Sequence, residues 1–499
     1  MVSRILSKLR PVMVLGLPLF LLACAGSPEP KRGSAGTFAP LAASPESPPA
    51  LPPLFDDIER RAFRYFWDTT NPDNGLAPDR HPSRPFSSIA AVGFALTAYP
   101  IGIENGWVDR DQAIERTLKT LEFFRDAPQG PQPQGTSGYK GFYYHFLDMQ
   151  TGHRINSNVE LSSIDTSLLM MGVLFAQSYY DGDDPREAQI REIAEQLYAG
   201  IDWNWMQRNA PLVSMGWHPE KGFIDNDWKG FDEAMFLYVL ALGSPSHPVE
   251  PEAWQAWART YDRVWGEFQR QEYLSFAPQF GHQYSQSWID FRGIRDAFMR
   301  DKEMDYFENS RRATLAQQAY AVANPMGWRD YGENVWGLTA CDGPGTGKHE
   351  YQGEIRDFRG YSARGPGLSV AFDDGTLAPT AAVASLPFAP ELVIPATEEM
   401  QRRYGEHIYA EYGFLDSFNP SFRYDVPVSD GQVIPGFGWV AGDYIGIDQG
   451  PILLMIANYR NGFVWDVMKR NPHIRTGLER AGFTGGWLEN DTVDSGPNG

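Results

Sequence analysis

Residues Asn156 to Phe175 read Asn-Ser-Asn-Val-Glu-Leu-Ser-Ser-Ile-Asp-Thr-Ser-Leu-Leu-Met-Met-Gly-Val-Leu-Phe, and this stretch decides the fold class. Its second half is apolar on nearly every side, whereas a helix at a protein surface keeps a polar face. This pattern predicts a helix inside a large helical protein. The first half carries Glu160 and Asp165, and buried charged groups need a partner or a function. We therefore interpret Glu160 to Tyr180 as an inner helix whose N-terminal end opens into a polar active site.

Buried helices alternate with half-exposed helices along the rest of the chain. Leu54 to Thr70 and Arg110 to Ala127 are amphipathic, while Phe86 to Ile101 is apolar all round. Inner helices covered on both sides and outer helices covered on one are typical of an α/α toroid. The sequence predicts one all-α domain with almost no strands, except a small β-hairpin over Gly138 to Ile155 at its mouth. The other predicted helices are Pro185–Arg208, Phe231–Leu242, Pro251–Gln271, Asp305–Ala323, Tyr331–Thr339, Leu377–Leu386, Glu391–Tyr404, Gln449–Tyr459 and Phe463–Lys469.

Four long polar loops precede buried helices. Loops of this length are usually functional, so we expect them to gather at one mouth of the toroid. They are Asn71 to Pro85, Gly216 to Gly230, Thr339 to Thr376 and Asp416 to Gly446.

The first residues have the pattern of a bacterial targeting segment. A basic stretch with Arg4, Lys8 and Arg10 precedes the apolar run Val12 to Leu22. The run Leu21-Leu22-Ala23-Cys24 is similar to a lipobox, which predicts cleavage before Cys24 and diacylation of its thiol. The alternative is an ordinary secretory signal that contains an incidental cysteine.

The lipobox and the helical pattern together divide the chain into three predicted regions. Residues 1–23 are predicted to be a lipoprotein signal peptide, and residues 24–53, rich in Pro, Ala and Ser, a disordered tether. Residues 54–499 are predicted to form the catalytic domain. Because Ala25 and Gly26 carry no acidic retention signal, we expect a lipid anchor on the periplasmic face of the outer membrane. Once Cys24 is lipidated, only Cys341 remains, so no intramolecular disulfide is expected.

Composition limits the classes of partner. The formal charge of -20 argues against nucleic acid, which binds basic surfaces, while an uncharged sugar is compatible with it. The chain is 42% hydrophobic and 14% aromatic, with 15 Trp, which provides a large core and rings that could stack on sugars. We expect a monomer.

Carboxylates at the starts of buried helices are the remaining candidates for chemistry. The chain has no zinc-binding motif and no nucleophile elbow, so we expect neither a metal nor a cofactor. Glu160 could be structural, since Ser157-x-x-Glu160 matches a capping box. Asp232 and Glu233 fall in the first turn of the next buried helix, and Asp448 could be an N-cap. Together on three buried helices these acids indicate a site of the kind that glycosidases use.

Further acids and aromatic side chains complete the candidate site. Asp165 has no capping explanation if it lies within the helix, although it could pair with Arg80 or Arg292. Asp443, five residues before Asp448, is a supporting acid, as are Asp165 and Asp232. Four tryptophans in or beside the mouth loops are candidates for stacking on sugar rings, or for packing the loops down. They are Trp217, Trp228, Trp336 and Trp439.

These segments jointly resemble the glucoamylase-like family of bacterial lipoproteins and periplasmic enzymes, specifically glycoside hydrolase family 144. The resemblance covers roughly Leu54 to Phe483. It rests on Phe66-Trp67-Asp68, Asn74-Gly75-Leu76, Ser87-Ser88-Ile89-Ala90-Ala91-Val92-Gly93-Phe94, Asn158-Val159-Glu160-Leu161-Ser162-Ser163-Ile164-Asp165, Asp232-Glu233-Ala234, Asn334-Val335-Trp336-Gly337-Leu338 and Asp443-Tyr444-Ile445-Gly446-Ile447-Asp448-Gln449-Gly450.

The resemblance implies an (α/α)6 barrel that cleaves β-1,2-glucan or sophoro-oligosaccharides without a metal. It implies catalytic roles for Glu160, Glu233 and Asp448, with Asp165 and Asp443 in support. Members of the family act within the polymer or release sophorose from chain ends, and the motifs do not choose between these. Two alternatives stay open, a non-catalytic glycan-binding lipoprotein and a β-1,2-glucan transglycosylase. For the hydrolase we favour Glu233 as general acid and Asp448, on a polar Gly-rich loop, as the more solvated base, with inversion of configuration.

Overall fold

The computed structural model describes residues 49–83, 86–368 and 372–490, and these residues are mainly helical. The predicted lipidation site Cys24 lies outside them. Two 3-10 turns, Tyr261–Arg263 and Gln279–His282, accompany the α-helices. The helices are α1 Pro53–Thr69, α2 Ile89–Glu104, α3 Arg110–Asp126, α4 Ser163–Tyr179, α5 Pro185–Ala199, α6 Trp203–Met206, α7 Met235–Gly243, α8 Glu252–Ala258, α9 Tyr284–Trp288, α10 Ala297–Asp301, α11 Tyr306–Ala323, α12 Pro379–Val383, α13 Pro390–Ile408, α14 Gly446–Asn461, α15 Phe463–Lys469, α16 Pro472–Arg480 and α17 Trp487–Asn490.

Short antiparallel strands lie between the helices. The largest sheet has the order β3-β4-β6-β7-β8, and the other sheets have two or three strands. The strands are β1 Arg80–His81, β2 Ser87–Ser88, β3 Gly138–Tyr139, β4 Phe142–Tyr144, β5 Phe146–Leu147, β6 Leu161–Ser162, β7 Gly216–His218, β8 Gly222–Phe223, β9 Trp265–Phe268, β10 Gln271–Leu274, β11 Ala340–Cys341, β12 Gly347–Tyr351, β13 Glu354–Phe358, β14 Ser362–Ala363, β15 Tyr409–Ala410, β16 Gly413–Phe414, β17 Phe418–Asn419, β18 Gln432–Ile434, β19 Gly438–Val440 and β20 Tyr444–Ile445.

Buried and half-exposed helices alternate along the chain, as the periodicity predicts. The helices α2, α4, α7, α9, α12 and α14 are buried on almost all sides. The half-exposed helices α1, α3, α5, α8, α11 and α13 stand between them in sequence. Each inner helix is covered all round, which explains why its sequence lacks a polar face.

Two glycines let the central helices α2 and α4 approach closely. A Cβ atom at Gly93 would lie 2.1 Å from the carbonyl oxygen of Leu168, and one at Gly172 would lie 2.1 Å from that of Gly93. Any side chain at either position would therefore force the two backbones apart. Helix α2 also packs against α14, so α2, α4 and α14 form one buried group.

The N-terminal ends of α2, α4 and α14 are tied together by the strands that lead into them. The amide of Ile89, the first residue of α2, donates to the carbonyl of His145, and the amide of His145 donates to the carbonyl of Glu160. The amide of Gly446, where α14 begins, donates to the carbonyl of Asp79. The opposite, C-terminal ends border a separate cavity of about 580 Å³ that no predicted site residue lines.

Several predictions about secondary structure are wrong. The expectation of almost no strands fails because many strands are only two residues long, too short to show an alternating pattern. The predicted helix Pro251–Gln271 ends at Ala258 and is followed by a 3-10 turn and the β9–β10 hairpin. The predicted helix Tyr331–Thr339 is irregular. The hairpin predicted over Gly138–Ile155 is shorter than expected. It turns at Lys140-Gly141, between β3 and β4.

Within the described residues, none of the helices combines the length and the apolar character that crossing a membrane would require. Cys341 is buried with a free thiol.

Candidate active site

Three side chains meet where the strand β6 enters α4. Strand pairing of β4 with β6 brings His145 beside Glu160, and Asp165 follows in the first turn of α4. The Nδ1 atom of His145 lies 2.9 Å from Oε1 of Glu160, and its Nε2 atom lies 3.4 Å from Oδ1 of Asp165. We call these three residues the histidine trio.

The structure changes the local explanations of both acids in the trio. Glu160 precedes β6 and lies outside the helix, so the Ser157 capping box is wrong. The N-cap is Ser162, whose Oγ accepts from the amide of Asp165 at 3.1 Å and donates to its Oδ2 atom at 2.5 Å. Asp165 therefore does take part in a cap.

The predicted arginine partners of Asp165 are also wrong. Arg292 binds Asp290 at 2.7 Å, and Arg80 binds Asp79 and Asp342. Asp165 binds His145 in their place.

Charges within the trio control its pKa values. Burial works to lower the pKa of His145, but the carboxylates of Asp165 and Glu160 outweigh it and raise that pKa to about 9. Burial opposes ionisation of Glu160, but the charge and hydrogen bond of His145 lower its pKa overall. For Asp165, burial outweighs His145 and the pKa is raised. At neutral pH the trio is thus an imidazolium held by two acids, of which Glu160 is the more firmly ionised.

The trio is also the one group in the described chain whose His and acidic atoms are close enough to consider as metal ligands. Its donor geometry fits an ion pair better. Both ring nitrogens of His145 already point at carboxylates on opposite sides, whereas a metal ion takes one nitrogen of a neutral imidazole.

A second pair of acids, Asp232 and Glu233, stands just before α7. The helix begins at Met235, so the prediction that these acids lie in its first turn is wrong. Oδ1 of Asp232 accepts from the amide of Ala234 at 2.9 Å and from the indole of Trp257 at 3.3 Å. Burial raises the pKa of Asp232 to about 7. Burial, and then the charges of Asp232 and Asp165, raise the pKa of Glu233 to about 8.

A third group surrounds Arg80 and joins three of the predicted mouth loops. Arg80 donates to Asp342 at 2.8 Å and lies 3.8 Å from Oδ2 of Asp443. Asp416 accepts from the amide of Asp342 at 2.7 Å. Its carboxyl also hydrogen-bonds with that of Asp448 in the first turn of α14. We call these residues the aspartate cluster.

Asp448 is neither the N-cap nor the solvated acid that the sequence suggests. The N-cap of α14 is Ile445, and Asp448 is buried. Burial, and then the neighbouring Asp416, raise its pKa well above the ordinary value. Burial likewise raises the pKa of Asp416, and burial together with Asp416 raises that of Asp342 to about 7 despite Arg80.

Three carboxylate oxygens of the aspartate cluster are buried and accept no hydrogen bond from an N–H or hydroxyl group. They are Oδ1 of Asp416, Oδ2 of Asp443 and Oδ2 of Asp448. Buried acceptors of this kind favour hydrogen bonds from a water molecule or a sugar hydroxyl. Asp443 is otherwise held by the amide of Ser83, which donates to its Oδ1 at 2.8 Å.

Electrostatic contacts connect the three groups. Asp165 of the trio acts on Glu233, and Tyr284 experiences the charges of Asp448, Glu233 and Asp165 together. Asp79 acts on both Asp165 and Asp448. The structure therefore brings all six predicted acids into one neighbourhood at the N-terminal ends of the inner helices.

The four predicted tryptophans separate into two kinds. Trp336 and Trp439 are 0% exposed, so the prediction that they stack on substrate is wrong and they pack the loops. Trp228 is 7% exposed, and its indole donates to Ser163. Trp217 is half-exposed and pairs with Leu161, so its ring lies on the sheet face away from Glu160. There it packs against Tyr139 and Trp205.

Sequence reasoning missed four contributors to the site. His145 had no motif to mark it, and Asp342 and Asp416 lie in predicted mouth loops that could have been searched for acids. Tyr361 also lies in a mouth loop, is 54% exposed, and experiences the charges of Asp448, Asp416 and Asp342. Its ring is exposed, as the sequence predicts for the four tryptophans.

Comparison with known proteins identifies relatives of the whole described chain. Residues 225–472 match the family described as "Putative glucoamylase". A crystal structure of a "putative glucoamylase" from Bacteroides uniformis is similar at a TM-score of 0.75 and 31% identity, covering 87% of this chain and 98% of that one.

Comparison of the sequence and comparison of the structure each match a protein of Parabacteroides distasonis whose name specifies a substrate. An exo β-1,2-glucooligosaccharide sophorohydrolase acting at the non-reducing end is 27% identical over 455 residues, 86% of this chain. A β-1,2-glucanase structure has 26% identity and a TM-score of 0.72, covering 86% of this chain and 60% of that one. The chain spans 57% of the length of the sophorohydrolase.

Proposed function

The chain belongs to the glucoamylase-like family, the assignment that its resemblance to glycoside hydrolase family 144 predicts, and we propose that it is a glycoside hydrolase cleaving β-1,2-glucan. Both Parabacteroides distasonis matches bear names that specify β-1,2-linked glucose. The observation that carries the proposal is the convergence of Glu160, Glu233 and Asp448, with raised and lowered pKa values, in one neighbourhood. A protonated acid and a partly ionised carboxyl pair in one site are what general acid/base hydrolysis requires.

The fold that we propose for this activity is an (α/α)6 barrel. Six buried helices alternating with six half-exposed ones supply the required number of inner and outer elements. Packing of α2 against α4 and α14, and of α14 against α12, supports a ring of inner helices. The acids would then lie at one mouth of the barrel.

Glu233 is assigned as the general acid. A general acid must be protonated when the substrate binds, and the pKa of about 8 keeps Glu233 protonated at neutral pH. Asp232 beside it supplies part of the negative field that holds the proton in place. Glu233 would donate this proton to the glycosidic oxygen as the bond breaks.

The base is assigned to the Asp448–Asp416 pair. Two hydrogen-bonded buried carboxyls share one proton at neutral pH, so the pair carries one negative charge that can take a proton from water. Oδ2 of Asp448, which accepts no hydrogen bond from an N–H or hydroxyl group, can accept one from that water. Attack by water on the face opposite the leaving group gives inversion of configuration.

Substrate binding is assigned to an exposed aromatic ring and the ionised Glu160. The exposed ring of Tyr361 can stack on the apolar face of a glucose ring. Glu160, held by His145, can accept hydrogen bonds from sugar hydroxyls. An exposed aromatic ring beside carboxylate acceptors suits an uncharged glucan.

The test is a panel of polysaccharides with different linkages, with release of reducing ends as the readout. Linear β-1,2-glucan and sophoro-oligosaccharides should be degraded, while starch should not. Product sizes over time separate internal cleavage from release of sophorose. Efficient glucose release from starch beside inert β-1,2-glucan would overturn the assignment.

The location proposed for the enzyme is the periplasmic face of the outer membrane, through a lipid on Cys24. The supporting observation is the Leu21-Leu22-Ala23-Cys24 run. Cys24→Ser should leave the protein unlipidated and move it from the membrane to the soluble periplasmic fraction. Recovery of the unaltered protein wholly in the soluble fraction would contradict the proposal.

A further inference from the structure

His145 has a geometry that neither the proposed acid nor the proposed base explains. Its Nδ1 atom is 2.9 Å from Glu160 and its Nε2 atom is 3.4 Å from Asp165, so both ring nitrogens face carboxyl groups. A neutral imidazole has one donor and one acceptor nitrogen, and the acceptor would point its lone pair at an acid oxygen. An imidazolium, with two N–H donors, satisfies both contacts.

The ring is fixed by its surroundings. It stacks on Phe146 with centroids 3.8 Å apart and an angle of 21° between the planes. Phe146 in turn contacts Phe86 at 4.4 Å. The backbone of His145 accepts from Ile89 and donates to Glu160. The stack on Phe146 therefore holds the ring, and the hydrogen bond from Ile89 ties the main chain of His145 to the start of α2.

We propose that His145 is a positioning residue, holding Glu160 and Asp165 on opposite sides of its ring so that Glu160 remains an oriented, ionised carboxylate at the substrate cleft. The inference rests on the proposed hydrolysis of β-1,2-glucan, in which His145 itself touches neither substrate nor reacting water. Its effect is transmitted through Glu160 to the sugar and through Asp165 to Glu233.

The charged groups around the trio shift the pKa values of its residues in defined directions. Glu160, Asp165 and Asp79 all favour the charged imidazolium of His145. His218 also faces Glu160 and favours its ionised form only when it is itself protonated, and burial lowers the pKa of His218. Without the imidazolium, two buried carboxyls would face each other across the ring with no compensating charge, which would raise the pKa of Glu160 towards neutral pH. Activity that needs ionised Glu160 would then be lost at mildly acidic pH.

Substitutions that preserve one contact at a time test the proposal. His145→Phe keeps the stacking ring but removes both donors. His145→Asn can donate from the position of Nδ1, towards Glu160, and His145→Gln from that of Nε2, towards Asp165. The matched control is His473→Phe. His473 lies on α16, outside the cleft, and binds Glu195 of α5 at 2.8 Å.

The expected result is a fall in kcat/KM for His145→Phe of about 30-fold or more, the size of one lost charge-assisted hydrogen bond. KM should rise as well as kcat fall, because Glu160 also binds the sugar. The acidic limb of the variant's pH profile should move at least about one unit towards neutral pH. His145→Asn should retain more activity than His145→Gln, since the Glu160 contact is the shorter. Equal losses in all three variants with an unmoved pH profile would indicate a merely structural histidine and overturn the proposal.

A measurement without turnover keeps this inference separate from the proposed function. In an NMR titration of the intact protein, the imidazole of His145 should remain charged through neutral pH, with a pKa of about 9. Titration near the ordinary value of 6.5 would overturn the positioning role even if glucan is cleaved. So would Zn²⁺ or Ca²⁺ binding at one equivalent that His145→Phe abolishes. Charged His145 with no cleavage of any glucan would refute the proposed function alone.

Discussion

Replacing Glu233 by glutamine tests the general acid most sharply. The amide is nearly isosteric with the carboxylic acid but cannot donate the proton that the leaving glucose needs. Burial and the charges of Asp232 and Asp165 raise the pKa of Glu233 from 4.5 to about 8. At pH 7 such an acid is about 90% protonated, whereas at the ordinary pKa it would be protonated in about 0.3% of molecules.

The magnitude of the loss follows from that proton. General acid catalysis contributes about 10²–10⁴-fold, so kcat on β-1,2-glucan should fall by that factor, or about 2.7–5.5 kcal/mol of barrier. Binding of the glucan should change little, since the cleft keeps its shape. In the unaltered enzyme, activity should decline above about pH 8 as Glu233 loses its proton.

Two controls separate the lost proton from a general disturbance. Asp232→Asn removes a neighbouring negative charge, so the pKa of Glu233 falls and the alkaline limb should move to lower pH. A dinitrophenyl β-sophoroside has a leaving group that needs no protonation. Glu233→Gln should therefore cleave it with a much smaller loss.

The assay is steady-state kinetics on both substrates across the pH range. If Glu233→Gln keeps more than about a tenth of wild-type turnover on glucan, a loss below ~1.4 kcal/mol, Glu233 is not the acid. Equal losses on the glucan and the activated sophoroside would also refute this reasoning.

Three other predictions concern the aspartate cluster, the aromatic residues and stability. Asp416→Asn should move the acidic limb of kcat/KM to lower pH, because Asp448 loses the carboxylate that raises its pKa; a limb that rises or stays would exclude the pair as base. Tyr361→Ala should raise KM about tenfold at similar kcat, the size of one lost stacking contact. Trp336→Ala should lower the free energy of unfolding, measured with a chemical denaturant, by ~3–5 kcal/mol, because the ring of Trp336 is fully buried. Thermal unfolding should show stability falling from about pH 5 to pH 8. Buried acids with raised pKa values bind protons more tightly in the folded state, so their contribution is present below the unfolded pKa and lost as pH rises through 7 to 8. Glu233→Gln should flatten that slope, and an unchanged slope would contradict the raised pKa.

The parts of the fold that could be predicted are those with local, repeated signals. Helix α15 has its predicted bounds, Phe463–Lys469, and the buried helices were recognisable from their apolar composition. Their first turns were placed less well. Ser162 and Ser157 both offer a cap before an acid, and the strand pairing of β6 with β4 selects Ser162. That pairing joins residues distant in sequence and leaves no local pattern.

The residues of the site also separate into those with a local sequence signal and those brought together by distant contacts. Glu160, Glu233 and Asp448 could be proposed because each stands near the start of a buried helix. His145 could not, since a single histidine between two short strands has no diagnostic spacing. Asp416 and Asp448 are 32 residues apart in the chain and meet only through the packing of two loops on α14. Trp336 and Trp439 were wrongly proposed to be exposed, because a polar loop can still bury its tryptophan.

A proton NMR time course of the purified protein on linear β-1,2-glucan tests the central claim most directly. It records bond cleavage, product size and the configuration of each new reducing end in one experiment. We expect the signals of internal β-1,2 linkages to decrease while reducing ends of short sophoro-oligosaccharides appear first as the α anomer. A spectrum unchanged after prolonged incubation would contradict the assignment of this acidic site to β-1,2-glucan hydrolysis.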